Sequence, residues 1–106
     1  MSTLGIAIVN FRSAGDTAEL VRSVVDRAGD PVPRVALAIV DNSDQAEELR
    51  RVVARAAGRG VVATLIHGQG NIGYAAGNNL AAAWLLDQGA DVLWVLNPDT
   101  RITGGA

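Results

Sequence analysis

The chain has 106 residues, 49% of them apolar, enough for one small domain with a core and too few for two. Nine basic residues, all arginine, against eleven acidic ones leave a net charge of −2, which argues against nucleic acid or an anionic membrane held by charge alone. Cysteine is absent, which excludes disulfides and thiolate metal sites.

Residues 4–9 (LGIAIV) form the first apolar, β-branched run, followed in order by 35–40 (VALAIV), 61–66 (VVATLI) and 92–96 (VLWVL). None alternates cleanly between apolar and polar residues, so all four are predicted as strands covered on both faces, as in a parallel sheet. Between the first two, residues 16–28 carry Leu20, Val21, Val24, Val25 and Ala28 on one helical face. Asp16 and Glu19 form a capping box there and Gly29 supplies a stop. Residues 44–57 repeat the plan with Leu49, Val52, Val53 and Ala56, capped by Asp44 and Glu47 and ended by Gly58. The third helix, 74–88, is apolar all round, is expected to be the most buried, and ends at Gly89. The order β-α-β-α-β-α-β implies a parallel sheet with right-handed crossovers.

Residues 1–10 carry no basic leader, and their apolar run is too short for a signal peptide. No stretch approaches the roughly 20 apolar residues that span a bilayer. A cytoplasmic protein is therefore expected, with any contact to the inner face of the membrane peripheral. The fourth strand is followed only by NPDTRITGGA, so the chain reads as the front part of a larger domain. A fourth strand left as an open edge predicts a homodimer or aggregation.

Ligands of parallel α/β sheets bind beyond the carboxyl ends of the strands. Every predicted strand delivers a polar group to that edge: Asn10 after the first, Asp41–Asn42–Ser43 after the second, Asn71 in the loop after the third, and Asn97–Pro98–Asp99 after the fourth. Asp41 suits either the start of a helix or a ligand contact to a base or ribose. Asp99 suits either a turn or a hard oxygen ligand for Mg2+ or Mn2+, which take one or two carboxylates together with substrate phosphates and water.

Gly68, Gly70 and Gly73 have the G-x-G-x-x-G spacing of dinucleotide-binding loops. That fingerprint belongs on the first strand-to-helix turn, with an acid at the end of the next strand. Here it follows the third strand, and Asp91 stands at the start of the fourth. A dinucleotide oxidoreductase is thus the weaker reading. The alternatives are a tight turn into a packed helix, or a loop using Asn71, Gly73, Gly77 and Asn78 together, glycine for close backbone approach and asparagine for its paired donor and acceptor. His67, the lone histidine, reads as solvated, Trp84 and Trp94 as core, and Arg50, Arg51, Arg55 and Arg59 as a wet helix face. Arg101 is a weak phosphate candidate.

The stretches IAIVNFRSAGD, AIVDNSD, GQGNIGYAAGNN and VLWVLNPDTRI, in that order, cover nearly the whole chain. Together they resemble the N-terminal part of family-2 glycosyltransferases, especially the rhamnosyltransferase-like and galactofuranosyltransferase-like branch. The resemblance implies a Rossmann-like three-layer α/β sandwich with parallel sheet order 3-2-1-4, the N-terminal half of an A-type glycosyltransferase fold. It implies that residues 1–106 form a single nucleotide-diphosphate-sugar-binding domain lacking the acceptor half, with a Mg2+ or Mn2+ cofactor. It implies inverting transfer to a hydroxyl acceptor in cell-wall or surface polysaccharide synthesis, with dTDP-rhamnose or a UDP-sugar as donor. By position, Asn10, Asp41, Asn42, Asn71, Gly73, Gly77, Asn78, Asn97 and Asp99 bind the nucleotide sugar. Asn97–Asp99 matches the Asp-x-Asp motif, with Asn97 in place of the first Asp and Asp99 as the metal ligand. No catalytic residue is expected in this chain, because the family's general base lies well beyond that motif. The rival to an enzyme is a non-catalytic nucleotide-binding module.

Overall fold

The computed structural model describes residues 2–27 and 34–99. The elements follow as β1 (Thr3–Asn10), α1 (Ala14–Arg27), β2 (Arg34–Asp41), α2 (Ala46–Gly58), β3 (Val62–Ile66), α3 (Tyr74–Asp87) and β4 (Val92–Leu96). The strands form one parallel sheet in the order β3-β2-β1-β4, as expected for a Rossmann-like α/β fold. Gly29, Thr100, Arg101 and the residues after them, on which some expectations fall, lie outside the described residues.

The two-residue period of a strand divides the sheet between two cores. Ile6, Ile8, Leu37 and Ile39 face α1 and α2, where Leu20, Val24, Leu49 and Val52 meet them. Ala7, Val9, Ala36, Ala38 and Val40 face α3, through Ala81 and Leu85. The residues on the α3 side are small, which lets that helix lie close. A Cβ on Gly77 would stand 3.0 and 3.2 Å from the two methyls of Val9. Gly77 is thus occupied by packing between α3 and the central strands.

Four expectations are corrected. The third helix is not the most buried: only Gly77, Ala81 and Leu85 are fully covered, while Leu80 and Leu86 are exposed. β4 is not sandwiched: Val92, Leu93, Trp94 and Val95 are all exposed, so Trp94 is not a core residue. The reason is topological, because among the described residues β4 pairs with β1 alone and neither face is closed by a helix of its own. The expected caps also shift. α1 starts at Ala14, where Thr17 N–H donates to the Ser13 carbonyl at 2.9 Å, and Glu19 pairs with Arg22 at 2.6 Å. α2 starts at Ala46 with Gln45 as its N-cap, one residue beyond Asp44, and no side chain caps it.

Candidate functional site

All four strands run the same way, so their carboxyl ends share one rim of the sheet. β1 connects through α1 to β2 on one side and has β4 on the other, so the chain direction switches beside β1, where such sheets open a crevice.

The β1–β2 part of the rim is fastened by a buried polar network. Asn10 and Asp41 are register partners, and both project to the α1/α2 face, each fully buried. Asn10 Nδ2 donates to Asp41 Oδ1 (3.1 Å) and to Gln45 Oε1 (2.9 Å). Asn10 Oδ1 accepts from Thr17 Oγ1 (2.7 Å) and Ser13 Oγ (3.2 Å). Asp41 Oδ1 also accepts from the backbone N–H of Ser43 (3.0 Å) and its hydroxyl (2.7 Å), and Oδ2 accepts from the Gln45 N–H (2.8 Å). Burial pushes the Asp41 carboxyl up, but the Ser43 hydroxyl and N–H, the Asn10 amide and the Gln45 N–H outweigh it, so its pKa lies below the ordinary carboxylate value. Both side chains are thus committed to holding two strand ends and the start of two helices.

Asn42, the next residue, points to the opposite face and fastens the glycine loop. Its Nδ2 donates to the Gly73 carbonyl at 3.0 Å. Gln69 Nε2 reaches back to the Asp41 carbonyl (2.9 Å) and to Asn42 Oδ1 (3.3 Å). Gly73 sits at φ 88°, accessible to glycine without strain, and receives Asn71 Oδ1 on its N–H at 3.1 Å. This turn ends at the start of α3, where the Gly73 carbonyl accepts the Gly77 N–H. Gln69 Oε1 and Asn78 Oδ1 are buried acceptors that meet no protein donor. Asn71, Asn97 and Asp99 are exposed on the same rim.

Among the described residues, no three His, Asp or Glu side chains gather as a metal site. A cavity of about 300 Å³ lies between α1 and α2, lined by Val21, Val25, Val52 and Ala56. Its walls carry none of the strand ends, so it is not where the rim residues converge. Asp91 lies at the far end of the sheet, accepting the Thr3 N–H at 2.8 Å, which removes it from the glycine loop and with it the acid of a dinucleotide fingerprint. His67 is exposed with its Nε2 3.4 Å from the Arg50 guanidinium.

Sequence reasoning missed Ser13, Thr17, Gln45 and Gln69 as parts of the rim. The signal for three of them was available: Ser13 and Thr17 share a helical face at i and i+4, and Gln45 stands four residues after Asp41. It also passed over Phe11 and Arg12, both exposed in the β1–α1 loop.

No protein-family model matches the sequence, and comparison with curated proteins finds no relative. Solved structures do match. The mannosyltransferase PcManGT from Pyrobaculum calidifontis, in complex with GDP-Man and Mn2+, superposes with a TM-score of 0.70 at 17% identity over 91% of this chain and 27% of that one. The chain shares a glycosyltransferase fold. TarS of S. aureus matches with a TM-score of 0.66 at 18% identity over 93% of this chain and 17% of TarS. Its 1–349 portion in complex with UDP gives 0.66 and 18%, over 93% and 28%. The chain spans less than a third of the length of these glycosyltransferases, and at such identities the likeness is one of fold. It matches the expected A-type, N-terminal Rossmann-like part with sheet order 3-2-1-4. Among the described residues no helix is long and apolar enough to cross a membrane.

Proposed function

We propose that the chain is the nucleotide-sugar-binding part of an inverting family-2 glycosyltransferase acting in polysaccharide synthesis. The reading is supported above all by the rim: four strand ends deliver polar residues to one edge beside a crevice, on a fold shared with proteins solved with UDP and with GDP-Man and Mn2+. In this reading Asn71, Asn97 and Asp99 meet the donor, while Asn10, Asp41, Asn42, Gly73 and Gly77 hold the strand ends and loop that present them. Asn78 Oδ1 and Gln69 Oε1, lacking protein donors, are acceptors for ligand hydroxyls or amines. Exposed Phe11 offers an aromatic face to the base.

A divalent cation fits the donor set only as a shared ion. Asp99 supplies one carboxylate, and the diphosphate and water supply the remaining oxygens. When bound, such an ion neutralises charge on the departing diphosphate. In this reading residues 1–106 bind the donor, dTDP-rhamnose or a UDP-sugar. The uncovered β4 edge pairs two copies of the isolated chain.

Calorimetry with UDP, dTDP and GDP, each with and without Mn2+, tests the assignment. The expected result is metal-dependent binding that loses its metal dependence in Asp99→Ala. Equal, metal-independent binding by both forms removes Asp99 from the site.

A further inference from the structure

Among the described residues, Arg12 alone combines a side chain with a positive φ, 53°. Left-handed backbone is unfavourable for an L-residue other than glycine and persists where the surroundings impose it. Here they do so through the rim network. The Arg12 N–H donates to Ser43 Oγ at 3.0 Å, and that hydroxyl donates in turn to Asp41 Oδ1. On the other side, Ser13 Oγ is tied to Asn10.

The bend carries an exposed cation to the end of the central strand. The guanidinium carbon lies 5.1 Å from the centroid of the Phe11 ring. Contact with a ring engages the face of a guanidinium and leaves its in-plane N–H donors available. The ion pairs among the described residues join Arg22 to Glu19 and Asp26, and Arg59 to Asp26, and do not include Arg12. Other described arginines lie on α1, on or just after α2, or at the start of β2, so Arg12 is the only one carried by a rim loop.

We propose that Arg12 is a binding residue for the diphosphate of the nucleotide donor, held there at a cost in backbone strain; this rests on the donor-site reading above. The charge balance favours it. Asp41 is buried and saturated with donors, and Asn97 is neutral, so of the residues assigned to the donor Asp99 alone offers a metal an exposed carboxylate. A guanidinium fork that takes two phosphate oxygens at once supplies positive charge that a singly anchored cation leaves unmet.

Two substitutions test it, Arg12→Gly and Arg12→Asn, both of which accept a positive φ. Thermal melts and calorimetry are run on the whole chain with UDP, dTDP, inorganic pyrophosphate and uridine. Arg12→Gly is expected to melt a few degrees higher than the parent, because strain is relieved, while its affinity for the diphosphates and for pyrophosphate falls about tenfold. Uridine binding is expected to be unchanged in both variants. Parent and variants binding the diphosphates equally would overturn the role of Arg12 and leave the donor site standing. A parent that binds neither nucleoside diphosphates nor pyrophosphate would overturn both.

Discussion

Replacing Asp41 by Asn tests whether the rim network holds the fold together. The carboxylate accepts four hydrogen bonds, three at Oδ1 and one at Oδ2. An asparagine in its place keeps the three by directing its oxygen to the Oδ1 position. Its NH2 group then faces the Gln45 N–H, donor against donor. One charge-assisted bond is lost, a buried donor is left unmet at the N-cap of α2, and the remaining three bonds lose their ionic partner. Together these are worth about 2–4 kcal/mol. In a domain of this size such a loss lowers the Tm by on the order of 10 °C or more. The pH dependence adds a second signature. The folded pKa of Asp41 is depressed, so its contribution is fully present above the unfolded carboxylate pKa and is lost as pH falls through the folded value. Urea titrations at a series of pH values should therefore show the parent well above Asp41→Asn at neutral pH, with the two converging in acid. A difference below about 0.5 kcal/mol at pH 7, within the range of an ordinary surface substitution, would refute the reasoning. A gap that persists unchanged into acid would show that ionisation of Asp41 is not what the network uses.

Two glycines give a paired prediction. A Cβ on Gly5 would stand 2.8 Å from Leu93 Cδ2 and 2.9 Å from Ala90 Cβ, so Gly5→Ala should destabilise by about 1–3 kcal/mol in chemical denaturation. Gly15, in the first turn of α1, has open space around its Cβ position, and Gly15→Ala should stabilise by up to about 1 kcal/mol. Equal effects would mean that α3 and β4 do not pack on β1 as described. The β4 edge gives the next expectation: the isolated chain self-associates with rising concentration in sedimentation, and Val95→Lys, on the exposed strand, shifts it toward monomer. A parent that stays monomeric throughout would show that the edge is not used in this way.

The strands were legible because burial on both faces produces long β-branched runs. Each of the four lies within one or two residues of the observed element. Sheet order came from resemblance, since alternation of strands and helices does not say which strands are neighbours. The errors concentrate where tertiary cover decides the outcome. VLWVL reads as core by composition, yet its exposure depends on what lies beside it, and among the described residues β1 is its only strand neighbour. The third helix failed for the same reason, because apolar residues all round a helix do not say how many of its faces are covered. The caps failed for a different one. Asp16 and Asp44 both fit local capping rules, but the long-range bonds of Gln45 to Asn10 and Ala14 set where both helices begin.

At the rim, chemistry readable from residue type divides according to burial, which a one-dimensional pattern does not carry. Asn10, Asp41 and Asn42 look like ligand groups, yet each spends its hydrogen-bonding capacity on protein partners. A ligand reaching them would have to replace bonds already made in a buried setting, where an unmet donor or acceptor is costly. Asn71, Asn97, Asp99, Phe11 and Arg12 are exposed to a ligand from outside. The first group accounts for the second, because the exposed residues lie on the segments leaving three strand ends, which need fixing. The network through Ser43 fixes the bend at Arg12, and Asn42 with Gln69 fixes the glycine loop. Loss of Asn42 should accordingly weaken donor binding through the loop, and leave the contribution of Arg12 intact, whereas loss of Ser43 should do the reverse. A double-mutant cycle on affinity for a nucleoside diphosphate separates the two, and strong coupling between Asn42→Ala and Ser43→Ala would contradict this division of the rim into two independently fastened halves.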